Sequence, residues 1–450
     1  MDLMVILTYI VMCLITSYVV IVSFYLAKSS SSLIPVIPLA AMYYWSLYGV
    51  WSWIPMKLSG GSSYTEEALF TVNIDEYYLL SVVYYSIFIV IFATFECHMI
   101  RRKSVVNVNK SALSQYYLQK INQLSGNKWY NIGIMTLLAA FIFMWFRDLV
   151  TAFSSGQSAY QVSRWETGTG GAEYLSMFLG NLFIYLTIPL VFVTGHNRKR
   201  NFYLLMIIVY YGMNFLLGNR SILLCSLVLG VILYGEIYGL KKLFRLKNLL
   251  LGVGCLLLIQ LISIVRGLSI NAILTGDISF TIGDIFQSLA GSSEKEAAQV
   301  SMYGTLKKDV PFTYGASVLF LISTIIPSFL GIPRPERVYT HYIEHAVPSG
   351  TDVGWTINHV TAWYINFGLF GIIMGALLWG YTLKLLFQRK SNYVYMYGAA
   401  LFSSSAITMI RDGGVECYKG ALLLNTIIPM LIVWFSFKKI RFVWGNKNGK

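Results

Sequence analysis

Apolar positions along this chain come in long blocks, not in the alternation of a strand or the stripe of a surface helix. Runs of about 17 residues or more recur throughout, the length a helix needs to cross a hydrocarbon core. They predict spans over 3–27, 33–55, 77–95, 130–150, 174–194, 201–218, 221–238, 248–266, 356–383, 393–410 and 418–437, eleven in all. A twelfth candidate, 315–330, is short and interrupted by Pro327. The longest interval between blocks is a mixed segment over 267–354.

Composition agrees with the pattern. Of 450 residues, 56% are hydrophobic and 12% charged, against about one quarter charged in a soluble domain. Too little polar side chain is available to coat a soluble globule, so the expected fold is an all-α polytopic membrane protein with 11–12 transmembrane helices. The cysteines Cys13, Cys97, Cys225, Cys255 and Cys417 are scattered and form no C-x-x-C, so neither a disulfide framework nor a metal site is expected. The first residues, MDLMVILTYIVMCLIT, lack a basic n-region and a small-residue cleavage site, and read as a retained first helix.

The net charge of +14 does not indicate nucleic acid, because the basic residues sit in the links, where they orient the spans. With the N-terminus outside, one face collects 22 of the 34 basic residues, from Lys28 through Arg101, Arg198, Lys241 and Lys384 to Lys450. The positive-inside rule names that face cytoplasmic. If 315–330 crossed, the next span would carry Lys384, Arg389 and Lys390 to the wrong side. It is therefore read as re-entrant or interfacial. The expected organisation is spans over 1–266, a large extracytoplasmic loop over 267–354 with short or re-entrant helices, and C-terminal spans with a cytoplasmic tail over 355–450. Within the loop, Ser293-Glu294-Lys295-Glu296 has the form of a capping box opening a helix, and Pro335 and Pro348 bracket another over 338–346.

Charged groups at the outer ends of spans are functional candidates by default, because an ion near the hydrocarbon is costly. Arg147, Arg220, Arg266 and Arg411 stand there, with Arg164, Arg334 and Arg337 in outer links. Arg147 and Arg411 each adjoin an aspartate, so a local ion pair competes with a substrate role. A guanidinium cannot be deprotonated and matches phosphate oxygens bidentately. Arginines gathered around one pocket would hold a lipid diphosphate and stabilise it as a leaving group.

The stretch GIPRPERVYTHYIEHAVPSGTDVGWTINHVTAWYINFG, from Gly331 to Gly368, holds His341, His345 and His359. His341-Tyr342-Ile343-Glu344-His345 matches H-x-x-E-H, a zinc-protease pattern, yet three turns between prolines and the lack of a clear third ligand weigh against a metal. No metal and no cofactor is assigned. Glu336 and Glu344 are carboxylates at general-base positions, and His359 is read either as a donor to a carbonyl or as a donor or base facing the outer pocket. No D-x-D occurs, so a soluble-type metal-dependent glycosyltransferase is not indicated.

These residues resemble the O-antigen polymerase (Wzy) family. The resemblance covers most of the chain by architecture. It is carried by Gly218-Asn219-Arg220-Ser221 opening a span, Arg266-Gly267 closing one, and Gly354-Trp355-Thr356-Ile357-Asn358-His359 with Tyr364-Ile365-Asn366-Phe367-Gly368-Leu369-Phe370-Gly371. It implies a multi-span, GT-C-like, metal-independent glycosyltransferase of the bacterial inner membrane with its site facing outward. Donor and acceptor would be undecaprenyl-diphosphate-linked oligosaccharides, and the partners membrane lipids, a chain-length regulator and a flippase, with no nucleic acid. Arg220 and Arg266, with His359 and Glu344, would be catalytic. Arg147, Arg164, Arg334, Arg337, His341, His345 and Arg411 would bind substrate. An O-antigen ligase using the same donor, or a flippase, are the rival readings.

Overall fold

The computed structural model describes residues 3–51, 54–55, 72–103, 110–155, 171–216, 220–248, 250, 252, 254, 293–323, 335–347, 356–411, 413 and 415–438. Among these every regular element is a helix. Eight helices are long and apolar enough to cross a membrane: Leu3–Ser30, Glu76–Arg101, Lys128–Thr151, Leu175–Phe192, Ser221–Tyr238, His359–Phe387, Tyr393–Arg411 and Gly420–Phe437. The chain is a multi-pass membrane protein. Of the other expected spans, 201–218 corresponds to a helix over Asn197–Leu216. The one over 33–55 is a helix, Val36–Tyr43, that widens into a π-helical turn over Tyr44–Tyr48, and 248–266 lies almost wholly outside the described residues.

We label α1 Leu3–Ser30, α2 Val36–Tyr43, α3 Glu76–Lys103 and α4 Lys110–Gly126. Then come α5 Lys128–Ser155, α6 Gly171–Thr187, α7 Asn197–Leu216 and α8 Arg220–Tyr238. After a single turn of helix over Leu240–Leu243 come α9 Ser293–Lys307, α10 Ala316–Ser323, α11 Val338–Ala346, α12 His359–Phe387, α13 Tyr393–Arg411, α14 Val415–Lys419 and α15 Ile428–Phe437.

The basic ends of the spans are gathered under α4, whose side chains serve the helix ends beside it. The Ser114 hydroxyl donates to Ile237 O, the Tyr117 hydroxyl to Lys390 O, and Asn122 exchanges two bonds with Thr194. Asn127, just past its end, donates to Ser436 O at 2.8 Å. Ile237 and Ser436 close their helices, where carbonyls lack intrahelical partners. The Lys390 ammonium reaches Ser30 O at 3.1 Å, which brings the end of α1 to the same face.

The sequence reads 356–383 as one span, but the structure divides α12 in two. At Phe367 and Gly368 the backbone leaves the helix, with Gly368 at φ 59° and ψ −145°, a conformation open almost only to glycine. The short arm 359–366 then lies antiparallel to the long arm 369–387. A Cβ on Gly371 would sit 2.0 Å from the carbonyl oxygen of Trp363, and one on Gly375 would meet the Trp363 ring at 2.6 Å. The rings of His359 and Trp379 are 5.9 Å apart; in a straight helix those residues would be separated by about 30 Å. The arm's outer end is tied to the turn before α10: Thr313 N donates to Ile365 O at 2.9 Å, and the Ser317 hydroxyl to Asn366 Oδ1 at 2.7 Å.

His359 therefore begins a helix at the level of Trp379, ten residues or about 15 Å below the reversal, well inside a hydrocarbon core of about 30 Å. Helix α9 behaves alike. Its Ser301 meets Tyr85, while its Tyr303 and Lys307, up to two turns on, meet Asp75 just before the start of α3. Every residue from Ala297 to Thr305 is buried. Two part-length helices thus start deep and end at the face opposite the basic one. In α10, Ala316–Ser323 is helical, and residues 324–330, including Pro327, lie outside the described residues.

Candidate functional site

The N-terminus of the short arm is where the elements converge. Asn358 caps it, its Oδ1 accepting from Val360 N at 2.9 Å. Its Nδ2 donates to Trp45 O at 3.2 Å and to the Ser46 hydroxyl at 3.1 Å. Both partners belong to the π-helical turn, whose wider winding presents carbonyls to side chains of other elements; Tyr44 O likewise accepts from Gln299 Nε2 at 3.3 Å. Asn358 N donates to the Ser301 hydroxyl at 3.1 Å, and that hydroxyl lies 2.9 Å from Thr361 Oγ1. The Tyr85 hydroxyl bridges Thr361, at 3.1 Å, and the Ala298 carbonyl, at 3.1 Å. Asn358, Ser301, Thr361 and Ser46 are all buried, so this polar seam satisfies groups that would otherwise be orphaned. Beside it lies a cavity of about 10 Å³ lined by Ser46, Ser81, Tyr85 and Gln299, room for about one water.

The end of α13 closes on the same point. The Thr356 hydroxyl donates to Arg411 O at 2.6 Å. A Cβ on Gly413 would lie 1.8 Å from Ile357 O and 2.5 Å from His359 N, so backbone rests directly on backbone there. Arg411 is buried, its guanidinium carbon 5.7 Å above the Trp45 ring. His359 is fully buried, with Phe88, Trp363 and Trp379 meeting its ring nearly edge-on. Its Nδ1 is 3.2 Å from Gly413 O, and its Nε2 accepts from the Trp363 indole N–H at 2.9 Å.

A second group lies nearer the far face. His341 Nε2 donates to Pro311 O at 2.9 Å, and Nδ1 is 3.3 Å from Glu336 Oε2. His345 Nδ1 donates to His341 O at 2.8 Å, and the two imidazoles lie 4.3 Å apart. His345, Glu344 and Glu336 are exposed. The helix that carries them, α11, has the bounds that the flanking prolines predict. Among the described residues no group of three or more His, Cys, Asp or Glu is placed to hold a metal ion, and the H-x-x-E-H histidines spend ring nitrogens on carbonyls. Arg337 places its guanidinium carbon 4.9 Å over the Phe320 ring. Burial pushes the neighbouring Tyr339 and Tyr342 hydroxyls up, so both stay neutral.

Arg147 lies within α5, not beyond a span, and its Nε and Nη2 reach Asp148 Oδ1 at 2.9 and 2.6 Å. Arg220 opens α8 as its first residue, but its side chain is outside the described set, as are Arg164, Arg266 and Arg334 entirely. The structure thus brings Arg411 and His359 to one junction and His341, His345 and Glu344 onto one helix. Sequence reading quoted Asn358 only as part of a family motif and passed over Ser301, Tyr85 and Trp45, none of which is an unusual residue in an apolar chain.

A family model for O-antigen polysaccharide polymerase Wzy matches residues 3–441. The chain belongs to the Wzy family. A Wzy protein polymerises O-antigen repeat units carried on lipid, so this chain is a polymerising glycosyltransferase of the membrane. No curated protein and no solved structure matches it.

Proposed function

We propose that this Wzy polymerase joins undecaprenyl-diphosphate-linked repeat units on the outer face of the inner membrane, and that arginines neutralise the diphosphate as it leaves. An acceptor hydroxyl oxygen bonds to the anomeric carbon of the donor chain. The anomeric carbon–phosphate oxygen bond breaks, its electron pair goes to the diphosphate, and the acceptor proton is lost. Positive charge comes from guanidinium groups rather than a metal ion in this reading. What supports it is Arg411, buried over Trp45 beside a helix N-terminus within the membrane thickness. A cation and a helix dipole there both favour an anion in low dielectric, where fixed charge acts most strongly. Arg220, which opens α8, and Arg266 are proposed to grip the same group. Arg147, Arg164, Arg334, Arg337, His341 and His345 are proposed contacts for the sugars on the far side, with Glu344 as a proton acceptor there.

The test is the glycolipid ladder. A deletion strain should accumulate single lipid-linked units on the outer leaflet. Arg411→Ala and Arg220→Ala should each reproduce that pattern at normal membrane abundance, and normal chain lengths in either variant would remove that arginine from the mechanism. A ligase defect would instead leave long lipid-linked polymer, and a flippase defect would trap single units inside.

A further inference from the structure

The identity of the partners fixes the protonation of His359. An indole N–H only donates, so His359 Nε2, 2.9 Å from Trp363 Nε1, is the acceptor. A carbonyl only accepts, so Nδ1, 3.2 Å from Gly413 O, carries the hydrogen. One tautomer alone satisfies both. A second proton on Nε2 would face the indole N–H. A base must present a free lone pair to the proton it takes, whereas the lone pair here is spent on Trp363.

What the ring does hold is the end of α13. Thr356 binds Arg411 O at 2.6 Å and His359 binds Gly413 O at 3.2 Å, so residues 411 and 413 are clamped onto residues 356 to 359. The Arg411 side chain leaves from inside that clamp. We propose that His359 is a positioning residue, its Nδ1–H tautomer locked by Trp363, which acts through the Gly413 carbonyl to hold the Arg411 guanidinium over Trp45. The role in catalysis rests on the reading of Arg411 given above.

The measurement uses the full-length protein in proteoliposomes supplied with purified lipid-diphosphate-linked repeat units. His359→Asn keeps an N–H donor near the Nδ1 position, whereas His359→Gln and His359→Ala do not. Turnover in His359→Asn should stay within about threefold of wild type. In the other two it should fall about 100-fold, the loss that a misplacement of about 1 Å produces. His359→Ala combined with Arg411→Ala should be no slower than Arg411→Ala alone, because both act on one group. Any pH dependence of the wild-type rate should persist in His359→Asn, because the lone pair on Nε2 is held by Trp363. Equal loss in all three His359 variants, or an acid limb in the wild type that disappears in His359→Asn, overturns the proposal. A failure of wild-type protein to make polymer would instead strike the functional reading. The tautomer is then read independently of activity, by ¹⁵N spectra of histidine-labelled protein: an Nε2–H or doubly protonated His359 at neutral pH overturns the lock.

Discussion

The carbonyl oxygen of Trp363 occupies the space beside residue 371, where a Cβ would lie only 2.0 Å away. That contact exists because the chain reverses at Gly368, and it lets the two arms of α12 pack with backbone against backbone. Gly371→Ala must push the arms apart or break the reversal. The obstacle is a carbonyl and not a yielding side-chain tip, so the cost should reach about 3 kcal/mol or more. Gly133→Ala, at a site with nothing within 4 Å, is the matched control. Thermal melting in detergent and polymer length should both suffer in the first variant and neither in the second. A melting temperature unchanged in Gly371→Ala would mean that α12 does not fold back.

The reversal was hard to read because Phe367-Gly368-Leu369 is as apolar as the span around it, and hydropathy carries no φ angle. A signal was present in the glycines at 368, 371, 375 and 380, the small residues that let one helix approach another closely. The crossing helices themselves were legible, since bilayer thickness imposes their length directly. Helix α11 was legible because prolines bounded it. Helix α4 was not: its segment counted only as a basic link, although Leu113, Tyr117, Ile121 and Leu124 recur at helical spacing. The candidate site was half legible. Charge drew attention to Arg411 and His359, but the seam joining them is made of Asn, Ser, Thr and Tyr, whose roles depend on which neighbours the fold supplies.

Asn358 tests that seam. It works in two directions, accepting from Val360 N and donating to Trp45 O and Ser46. Asn358→Ala removes a cap and strands buried acceptors, a loss of about 2–4 kcal/mol. Asn358→Asp is the sharper variant. Aspartate caps helices as well as asparagine does, yet here it would turn an acceptor toward the Trp45 carbonyl. It should therefore rescue little of the melting temperature lost in Asn358→Ala. Full rescue would show that capping alone matters and that the π-helical turn is not held by this side chain.

Glu96 presents the opposite case. It is fully buried in α3, and neither carboxyl oxygen has a hydrogen-bond partner among the described residues. A buried polar group without a partner is a liability, and an apolar replacement of similar shape removes the cost. Glu96→Met should raise the melting temperature in detergent and leave polymer length unchanged. A lower melting temperature would reveal a partner for this carboxyl in the residues beyond the described set.

At the far face the alkaline limit of stability should be set partly by Tyr303 and Lys307. Tyr303 donates to Asp75 Oδ2 at 3.2 Å, and the Lys307 ammonium donates to the same phenol oxygen and reaches Asp75 at 3.4 Å. Burial raises the Tyr303 hydroxyl above its ordinary value, and the bond to Tyr303 foremost raises the Lys307 ammonium above its own. Both groups therefore keep their protons longer in the folded protein than in the unfolded one. Their contribution is complete below the unfolded values of about 10 and 10.4 and is lost as pH rises through the folded ones. Lys307 is one-third exposed, so solvent screens its share, and Tyr303 should dominate. Melting temperature followed from about pH 9 to about pH 11 should fall more steeply in the wild type than in Tyr303→Phe, where neither the phenol nor its bond to Lys307 remains. Equal slopes would show that the pair does not anchor α9 to the start of α3.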